Sequence, residues 1–213
     1  MKKIKVIVFD MDGTLTDTGS STWTVAHEAF GTLNDAKPHK ELFEAKKIDV
    51  FEWGVLDISL WTRKGVTKQD LERVFQNIKL VEGVEETLKE LKSKGYKIAL
   101  VTGGLSVVAE MIAKKFGFDY VFSSELAFDY DGLVVGLRRM YDFETKVDAL
   151  KEIAEKEGIG FDRIAVVGDS SNDIDMFKKA GFRVAFCPDS KELEKVADVV
   201  VNKKNLKEIL KYF

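Results

Sequence analysis

One stretch near the start of this 213-residue chain organises the rest: Lys3-Ile4-Lys5-Val6-Ile7-Val8-Phe9-Asp10-Met11-Asp12-Gly13-Thr14-Leu15-Thr16-Asp17. Its first half is a run of β-branched and aromatic residues that ends before a turn-forming glycine, a pattern typical of a buried strand. Asp10 and Asp12 follow that strand two residues apart. On extended backbone, this spacing directs both carboxylates to the same side.

Two carboxylates held close together repel each other unless a cation offsets their charge. In open α/β sheets, ligands bind just beyond the carboxyl ends of the strands, which is where this pair lies. Magnesium prefers oxygen ligands and is therefore the predicted ion. Acidic residues are also common in solvated turns, so this stretch alone leaves that second interpretation open.

The composition narrows the classes of partner. A net charge of −3 and a pI near 5.6 give no basic surface for nucleic acid. The short apolar start does not resemble a signal peptide and no apolar run is long enough to span a membrane, so we expect a cytoplasmic protein. The single cysteine, Cys187, excludes an internal disulfide and is expected to be a small buried residue. His27 and His39 are expected to be partly exposed rather than a metal-binding pair.

Residues 17–80 differ in character from the rest of the chain. They lack β-branched runs and contain amphipathic stretches at 23–30, 40–46, 50–62 and 68–78. Thr67, with Asp70 three residues later, is typical of a helix N-cap ahead of the last stretch. The segment is predicted to be a small helical bundle inserted after the first strand.

From residue 83 onward, helical and strand patterns alternate. Helices are predicted at 85–94, 105–116, 144–157 and 173–180, and strands at 97–101, 120–123, 163–167, 183–186 and 199–201. Asp131-Gly132 is predicted to be the turn of a hairpin joining 125–130 to 133–137. This alternation predicts an α/β fold with a doubly wound parallel sheet, formed by residues 1–16 and 81–213.

Two further strand ends carry polar groups. Thr102-Gly103-Gly104 offers a hydroxyl and unhindered N–H groups before a helix, a suitable anion site, although a glycine pair can also serve loop flexibility. Gly168-Asp169-Ser170-Ser171-Asn172-Asp173 adds two carboxylates and an amide, one of which can also cap a helix. Lys146 lies in the first turn of a predicted helix, where a cation opposes the macrodipole, so it is a candidate for binding a phosphate or carboxylate.

In this order, the four pieces resemble the motifs of the haloacid dehalogenase-like hydrolase superfamily. Asp10-Met11-Asp12-Gly13-Thr14 is similar to its first motif, Thr102 to its second, Lys146 to its third and Gly168 through Asp173 to its fourth. The resemblance covers essentially the whole chain, and its second half is most similar to phosphoserine phosphatases. It implies a Rossmann-like core and makes residues 17–80 a mobile helical cap.

The resemblance also implies roles for residues. Asp10 would attack phosphorus to form an aspartyl-phosphate, and Asp12 would protonate the leaving alkoxide and later activate water. Mg²⁺ would be held by Asp10, the main-chain carbonyl of Asp12 and Asp169, with Asp173 in support. The phosphate-binding groups would be Thr102, Gly103, Lys146 and Asn172.

Three other functions fit these residues less well. Carbon–halogen hydrolysis needs the nucleophile but neither a proton donor two residues later nor a metal, so Asp12 argues against it. A phosphomutase must retain and reorient its intermediate, and nothing in residues 17–80 identifies a sugar site. A catalytically silent binding protein on the same fold is disfavoured because every ionisable group of the four motifs is present.

The substrate is predicted only as a small phosphorylated metabolite, handled by a monomer or homodimer. In phosphoserine phosphatases a Glu after the first motif meets the substrate amino group, and a cap Arg meets its carboxylate. If Phe51 matches the family's cap Phe, these positions hold Gly19 and Ile58 here. Loss of both charges should weaken selection of phosphoserine, unless Arg63 compensates. Amino-alcohol and sugar phosphates are the alternatives.

Trp53, Asp57 and Trp61 are spaced so that they form one stripe on a helix. Such aromatic stripes usually pack against neighbouring helices. Alternatively, part of the stripe faces the phosphate site, where a carboxylate between two indoles would suit a cationic head group.

Overall fold

The computed structural model describes residues 3–213, in which seven strands form one sheet in the order β4-β3-β2-β1-β5-β6-β7. The strands are β1 (Val6–Phe9), β2 (Lys97–Leu105), β3 (Tyr120–Phe128), β4 (Val134–Arg139), β5 (Ile164–Gly168), β6 (Phe182–Phe186) and β7 (Val199–Val201). Within these residues β4 is antiparallel to its neighbour, and the other pairings are parallel. The predicted α/β fold with a doubly wound parallel sheet is confirmed.

β1 lies at the centre of the sheet, between β2 and β5. Its residues are fully buried and alternate between the two faces: Ile7 and Phe9 belong to one hydrophobic core, Val6 and Val8 to the other. Burial on both faces explains why the strand is an uninterrupted apolar run. The site predicted at its end is therefore held by a fully buried strand at the centre of the sheet.

The helices cover both faces. They are α1 (Thr22–Ala29), α2 (Leu33–Glu44), α3 (Val50–Lys64), α4 (Lys68–Phe75), α5 (Val84–Ser93), α6 (Ser106–Phe116), α7 (Lys146–Glu157), α8 (Ile174–Lys179) and α9 (Lys191–Val196). The sequence patterns did not predict α9 or the 3₁₀ segment Leu206–Tyr212, which are short and have few residues to establish a period. No helix in the described part of the chain combines the length and hydrophobicity needed to cross a membrane.

Two strands are longer than their sequence patterns predict. β2 continues through the glycine pair to Leu105, with an irregular register against β3 after Val101. β3 joins the predicted strand at 120–123 to the first arm of the hairpin, because its first half pairs with β2 and its second half with β4. The hairpin is thus an extension of the sheet, and its turn contains Asp131 and Gly132 as predicted.

Helices α1 to α4 form the predicted helical segment. Thr67 and Asp70 make the predicted capping box at the start of α4, and Asp49 with Glu52 makes a second one at α3. α3 packs on β4 so closely that a Cβ on Gly54 would lie 2.8 Å from Leu137 Cδ2. The exact division of the chain at residues 16/17 and 80/81 stays a prediction.

The two chain crossings between the helical segment and the core lie side by side. The Asp17 N–H donates to the Lys79 carbonyl at 2.8 Å, and the Val81 N–H donates to the Leu15 carbonyl at 2.9 Å. The Asp17 carboxylate also forms ion pairs with Lys79 and Lys204. A short backbone ladder therefore joins the two crossings, and opening or closing of the helical segment must bend it.

The hairpin makes a third connection. The Val134 N–H donates to the Val66 carbonyl at 2.9 Å, and the Lys68 N–H donates to the Gly132 carbonyl at 2.8 Å. The Thr62 hydroxyl also donates to the Val134 carbonyl at 2.8 Å. The helical segment is thus bonded to the hairpin as well as to the rest of the core.

We predict that the helical segment closes over the core through both crossings, near 16–19 and 79–83. Left-handed glycines at residues 19 and 83 supply backbone freedom at each crossing. Magnesium plus beryllofluoride, a phosphoryl mimic, should then slow hydrogen exchange in peptides that cover these two connections. Peptides of β7 serve as the control. Unchanged exchange at both crossings would contradict closure.

Candidate active site

Lys146 is the centre of a buried ion cluster. It is the first residue of α7, and its side chain is fully buried beneath the ends of β1 and β5. Its Nζ lies 2.8 Å from Asp10 Oδ1, 2.8 Å from Asp173 Oδ1 and 3.1 Å from Asn172 Oδ1. The three carboxylates around it (Asp10, Asp173, Asp142) raise the Lys146 pKa against the opposing effect of desolvation, so the side chain is an ammonium.

Asp10, Asp169 and Asp173 converge at the same point. One oxygen of each lies within 4.8 Å of the others. Burial raises the pKa of Asp10 well above its usual value although the Lys146 ammonium opposes the shift, and burial raises that of Asp169 to about 8. Three carboxylates thus share one ammonium, so full ionisation of the group would leave excess negative charge in a buried site.

A divalent cation fits this donor set. The donors are carboxylate oxygens, which hard cations prefer, and their charge exceeds that of the neighbouring lysine. The Thr14 hydroxyl donates to Asp169 Oδ1 at 2.8 Å and orients that carboxylate. Gly13 has a left-handed φ of 86°, and a Cβ there would lie 2.0 Å from Asp169 Oδ2. A larger residue would therefore push Asp169 out of the cluster.

Asp12 lies apart from this cluster and faces the helical segment. Its Oδ2 accepts the Thr22 N–H at 2.9 Å and the Thr22 hydroxyl at 3.0 Å, and its Oδ1 accepts the Thr16 hydroxyl at 3.3 Å. Burial nevertheless raises the Asp12 pKa. The carboxyl group is held in place and biased towards the protonated form, as a proton donor requires. Thr22 was not predicted from sequence, although its position at a helix start was a possible signal.

The loop at the end of β2 provides the predicted anion site. The Thr102 hydroxyl accepts the Gly104 N–H at 2.9 Å, which leaves its own proton free to donate. The Gly103 carbonyl accepts Trp23 Nε1–H at 2.9 Å and the Ser124 hydroxyl at 2.7 Å. α1 and β3 therefore hold this loop in position from two sides.

Asp142 is a further acidic residue that sequence analysis missed. Its carboxylate lies against Gly103, where a Cβ would be 2.3 Å from Asp142 Cγ. Its Oδ1 accepts Asn172 Nδ2–H at 2.7 Å, and burial raises its pKa. The only available signal was its spacing of four residues before Lys146. Gly103, Lys146 and Asn172 are thus grouped around this carboxylate.

A cavity of about 580 Å³ extends from these residues to the helical segment, and its volume is within the ordinary range for small-molecule sites. The core contributes Asp10, Asp12 and the β2 loop, and the opposite wall includes Trp23, His27, Trp53 and Asp57. The cavity therefore joins the acidic cluster to Trp53 and Asp57, two of the four residues predicted to select the substrate.

The structure corrects the expectation of partial exposure for one of the two histidines. His27 is buried, and its Nε2 lies 3.3 Å from Asp57 Oδ2. His39 is partly exposed, as expected, and donates from Nδ1 to Asp57 Oδ1 at 2.7 Å. Both imidazoles lie near this carboxylate because a buried charge requires partners, a constraint that sequence spacing does not reveal. Cys187 is only partly buried.

The residues predicted to select the substrate differ in whether they line the cavity. Trp53 and Asp57 line the cavity, whereas Trp61 is fully buried and stacks on Trp23 with ring centroids 5.3 Å apart. Phe51 is 40% exposed, and neither it nor Trp61 is among the cavity-lining residues. The stripe is thus divided between the cavity and the helix-packing core.

Gly19 and Ile58, the positions matched to the family's substrate-binding Glu and Arg, are also divided between the cavity and the core. Gly19 lines the cavity but offers no side chain. Ile58 is buried in the hydrophobic core and does not line the cavity. Arg63 is exposed and bonds to Ser59 on its own helix, so in this structure it does not replace the missing charge.

Comparisons with known proteins agree with this geometry. A family model for haloacid dehalogenase-like hydrolase matches residues 7–178. The phosphoserine phosphatase of Methanocaldococcus jannaschii is 38% identical over 214 residues, covering 99% of this chain and 98% of that protein. The phosphoserine phosphatase of Campylobacter jejuni subsp. doylei is 30% identical over 211 residues, covering 98% and 99%.

Solved structures show the same relationship. A phospho-aspartyl intermediate analogue of phosphoserine phosphatase aligns over 100% of both chains, with a TM-score of 0.83 and 34% identity. A substrate-bound phosphoserine phosphatase complex gives the same values. The family match spans most of the chain, and the relatives cover it almost completely. The chain belongs to the haloacid dehalogenase-like hydrolase family, in its phosphoserine phosphatase-like branch.

Proposed function

We propose that this phosphatase is a magnesium-dependent phosphomonoester hydrolase that acts on a small phosphorylated metabolite through an aspartyl-phosphate. The observation that carries the proposal is the convergence of Asp10, Asp169 and Asp173 on the buried Lys146 at the carboxyl edge of the sheet. This group joins a nucleophile, an excess of carboxylates and an ammonium in one site. The solved phospho-aspartyl analogue of a related phosphatase supports the same chemistry here.

Asp10 is the proposed nucleophile. The Lys146 ammonium, 2.8 Å from Asp10 Oδ1, favours the ionised carboxylate and fixes one oxygen, so that the other is available to attack phosphorus. The attack forms an acyl phosphate and splits one difficult displacement into two easier steps. Water then releases inorganic phosphate and restores the carboxylate.

Asp12 is the proposed general acid and base. The Thr22 and Thr16 groups hold its carboxyl towards the cavity and the helical segment, where the leaving group would lie. Its raised pKa favours the protonated form needed to donate a proton to the departing alkoxide. The resulting carboxylate is then available to take a proton from the hydrolytic water.

Thr102, Gly103, Lys146 and Asn172 are proposed to bind the oxygens of the transferring group. Such groups contribute most in phosphoryl transfer when they are positioned before the reaction, and the β2 loop is held on two sides by Trp23 and Ser124. Asp142 would add negative charge beside Gly103, so Lys146 and Asn172 offset its carboxylate as well.

Asp10, Asp169 and the Asp12 main-chain carbonyl, with Asp173 in support, are proposed to hold Mg²⁺. When bound, the ion supplies positive charge that offsets the charge of the transferring phosphoryl group. Asp173 also accepts N–H groups of Asp169 and Ser170 through Oδ2, at 3.1 and 3.3 Å. It therefore shapes the loop that carries the other metal ligand.

Asp10→Asn should lower phosphatase turnover at least about a hundredfold, because the neutral amide is a poor nucleophile and a weaker metal ligand. The measurement is phosphate release from p-nitrophenyl phosphate with Mg²⁺ present. Asp148→Asn, the same change at an exposed position of α7, is the matched control and should keep full activity. Retention of more than about a hundredth of the activity by Asp10→Asn would contradict the assignment.

Asp12→Asn should impair alkyl phosphates more than p-nitrophenyl phosphate, because an alkoxide needs a proton and nitrophenolate needs little. We expect the loss of kcat/KM for alkyl esters to be at least about tenfold greater. Steady-state kinetics on both substrate types measure the difference. Equal losses on the two would remove the acid role from Asp12.

Mg²⁺ should raise the melting temperature, more at about pH 8.5 than at about pH 6, because the ion binds carboxylates in their ionised form. Asp169, with a pKa of about 8, is mostly protonated at the lower pH. Without metal, its raised pKa makes stability fall as pH rises from the unfolded value of about 4 towards 8. Thermal melts in MgCl₂ and in EDTA measure the shift, with Asp169→Asn as control. A shift that is absent, or larger at the lower pH, would contradict the metal site.

A further inference from the structure

We propose that the wall of the cavity formed by the helical segment binds a neutral, polyhydroxylated leaving group, such as a sugar or polyol, in preference to the charged backbone of phosphoserine. This inference rests on the proposed function, since it concerns the group from which that reaction removes phosphate. It is carried by three side chains on this wall: His27, Trp53 and Asp57.

Two ring N–H groups of this wall are buried and unpaired. His27 Nε2 and Trp53 Nε1 have no hydrogen-bond partner among residues 3–213, although both residues line the cavity. A buried donor without an acceptor costs free energy, and native structures contain few of them. A ligand acceptor that enters the cavity would satisfy these donors once the adjoining side chains shift enough to expose them.

The hydrogen bonds of His27 determine which of its nitrogens is the donor. Trp61 Nε1–H, which can only donate, lies 3.2 Å from His27 Nδ1, so that nitrogen accepts. The Thr32 hydroxyl lies 2.7 Å from the same nitrogen. The proton of the neutral ring is therefore on Nε2, which lies 3.3 Å from Asp57 Oδ2 without hydrogen-bond geometry.

Asp57 supplies an acceptor beside these donors. His39 Nδ1–H occupies one of its oxygens at 2.7 Å, and the second oxygen lies next to the His27 ring. A carboxylate oxygen has more than one lone pair, so this second oxygen can accept a further hydrogen bond. Donors and an acceptor on one wall match a hydroxyl group, which both accepts and donates. A cationic head group would meet a carboxylate that already has two imidazole neighbours.

The surrounding surface is apolar and rigid. Trp53 stacks on Phe43 with ring centroids 4.8 Å apart, and Trp23 is held by its bond to the Gly103 carbonyl. These fixed aromatic rings can pack against the C–H groups of a carbon chain or ring at a small entropic cost. Apolar walls with a few placed polar groups are the usual composition of a small-molecule site.

The same wall lacks the two charged residues with which the family binds an amino acid. Gly19 and Ile58 stand at the positions matched to the family's charged residues, and neither places a charge in the cavity. Lys37 and Lys40 line the cavity but are exposed, and they contact Asn34 and Glu44. Exposed ion pairs contribute little free energy, so these lysines are weak candidates for selecting a carboxylate.

The test measures kcat/KM of the full chain in the presence of Mg²⁺ and compares two groups of substrates. The first group is glucose 6-phosphate, ribose 5-phosphate, sorbitol 6-phosphate and glycerol 3-phosphate. The second group is O-phospho-L-serine and O-phosphoethanolamine. At least one sugar or polyol phosphate should exceed both amino compounds by about tenfold or more, the effect of one or two well-placed hydrogen bonds. A preference for phosphoserine would mean that the exposed lysines select its carboxylate, and a preference for phosphoethanolamine would mean that Asp57 binds a cation. Either result overturns the proposal.

Trp53→Phe removes the unpaired N–H while keeping an aromatic ring. The ratio of kcat/KM on the best polyol or sugar phosphate to kcat/KM on p-nitrophenyl phosphate should fall by about 3- to 10-fold, the effect of one lost hydrogen bond. Asp57→Asn, which weakens the acceptor, should lower the same ratio. Asp35→Asn, the same change as Asp57→Asn at an exposed position of α2 that does not line the cavity, is the matched control and should leave the ratio unchanged.

The outcomes separate this inference from the proposed function. If no phosphate ester is hydrolysed, including p-nitrophenyl phosphate, the proposed function fails. Suppose instead that p-nitrophenyl phosphate is hydrolysed and that Asp10→Asn abolishes this activity. If the enzyme then does not prefer a sugar or polyol phosphate, or if Trp53→Phe and Asp57→Asn do not lower the ratio, only the leaving-group assignment fails.

Discussion

Burial of the Lys146 ammonium among Asp10 and Asp173 is the interaction on which the site depends. Desolvating these ions is costly, and removal of one partner from such a cluster typically costs about 3–5 kcal/mol because the other charges stay buried. The cluster also determines local geometry: Lys146 begins α7, Asp10 directly follows β1 and Asp173 precedes α8. One ion cluster therefore connects three elements that are far apart in sequence.

The charge balance of this cluster explains two features together. A lysine in the first turn of a helix opposes the macrodipole, so α7 gains nothing from Lys146 as a helix. The Asp10 and Asp173 carboxylates stabilise the Lys146 ammonium at this position instead. Burial, together with the neighbouring Asp173 carboxylate, raises the pKa of Asp169, and the excess of carboxylates over the ammonium makes a site that suits a divalent cation.

The helical segment is connected to the core at more points than its two chain crossings. The hairpin of β3 and β4 bonds to it through Val66, Lys68 and Thr62. Trp23 and Thr22 connect α1 to the β2 loop and to Asp12, respectively. Any motion of this segment must either carry the hairpin with it or break these bonds, and it would also alter the contacts that α1 makes with Asp12 and the β2 loop.

The wall opposite the acidic cluster is organised by a second buried charge. Asp57 lies between His27 and His39, and Trp61 connects His27 to Trp23 by ring stacking and an N–H bond. Residues that resembled isolated histidines and an aromatic stripe in the sequence thus form one network. Its polar part faces the cavity, and its fully buried part holds the helices together.

The sequence by itself determined the sheet, the helices and the acidic cluster, because these depend on local patterns. A few neighbouring residues are enough to show the period of a strand or helix, a glycine turn or a helix cap. Parallel strands then bring their carboxyl ends to one edge of the sheet. Asp10, Thr102 and Asp169 were therefore predicted at one edge of the sheet from strand ends, and the family resemblance added Lys146 to them. Only tertiary structure decided the environment of Asp57, the contact of Asp142 with Gly103 and the hairpin bonds to the helical segment. These contacts join residues that are 18 to 72 positions apart in the chain and have no shared periodicity, so packing alone brings them together.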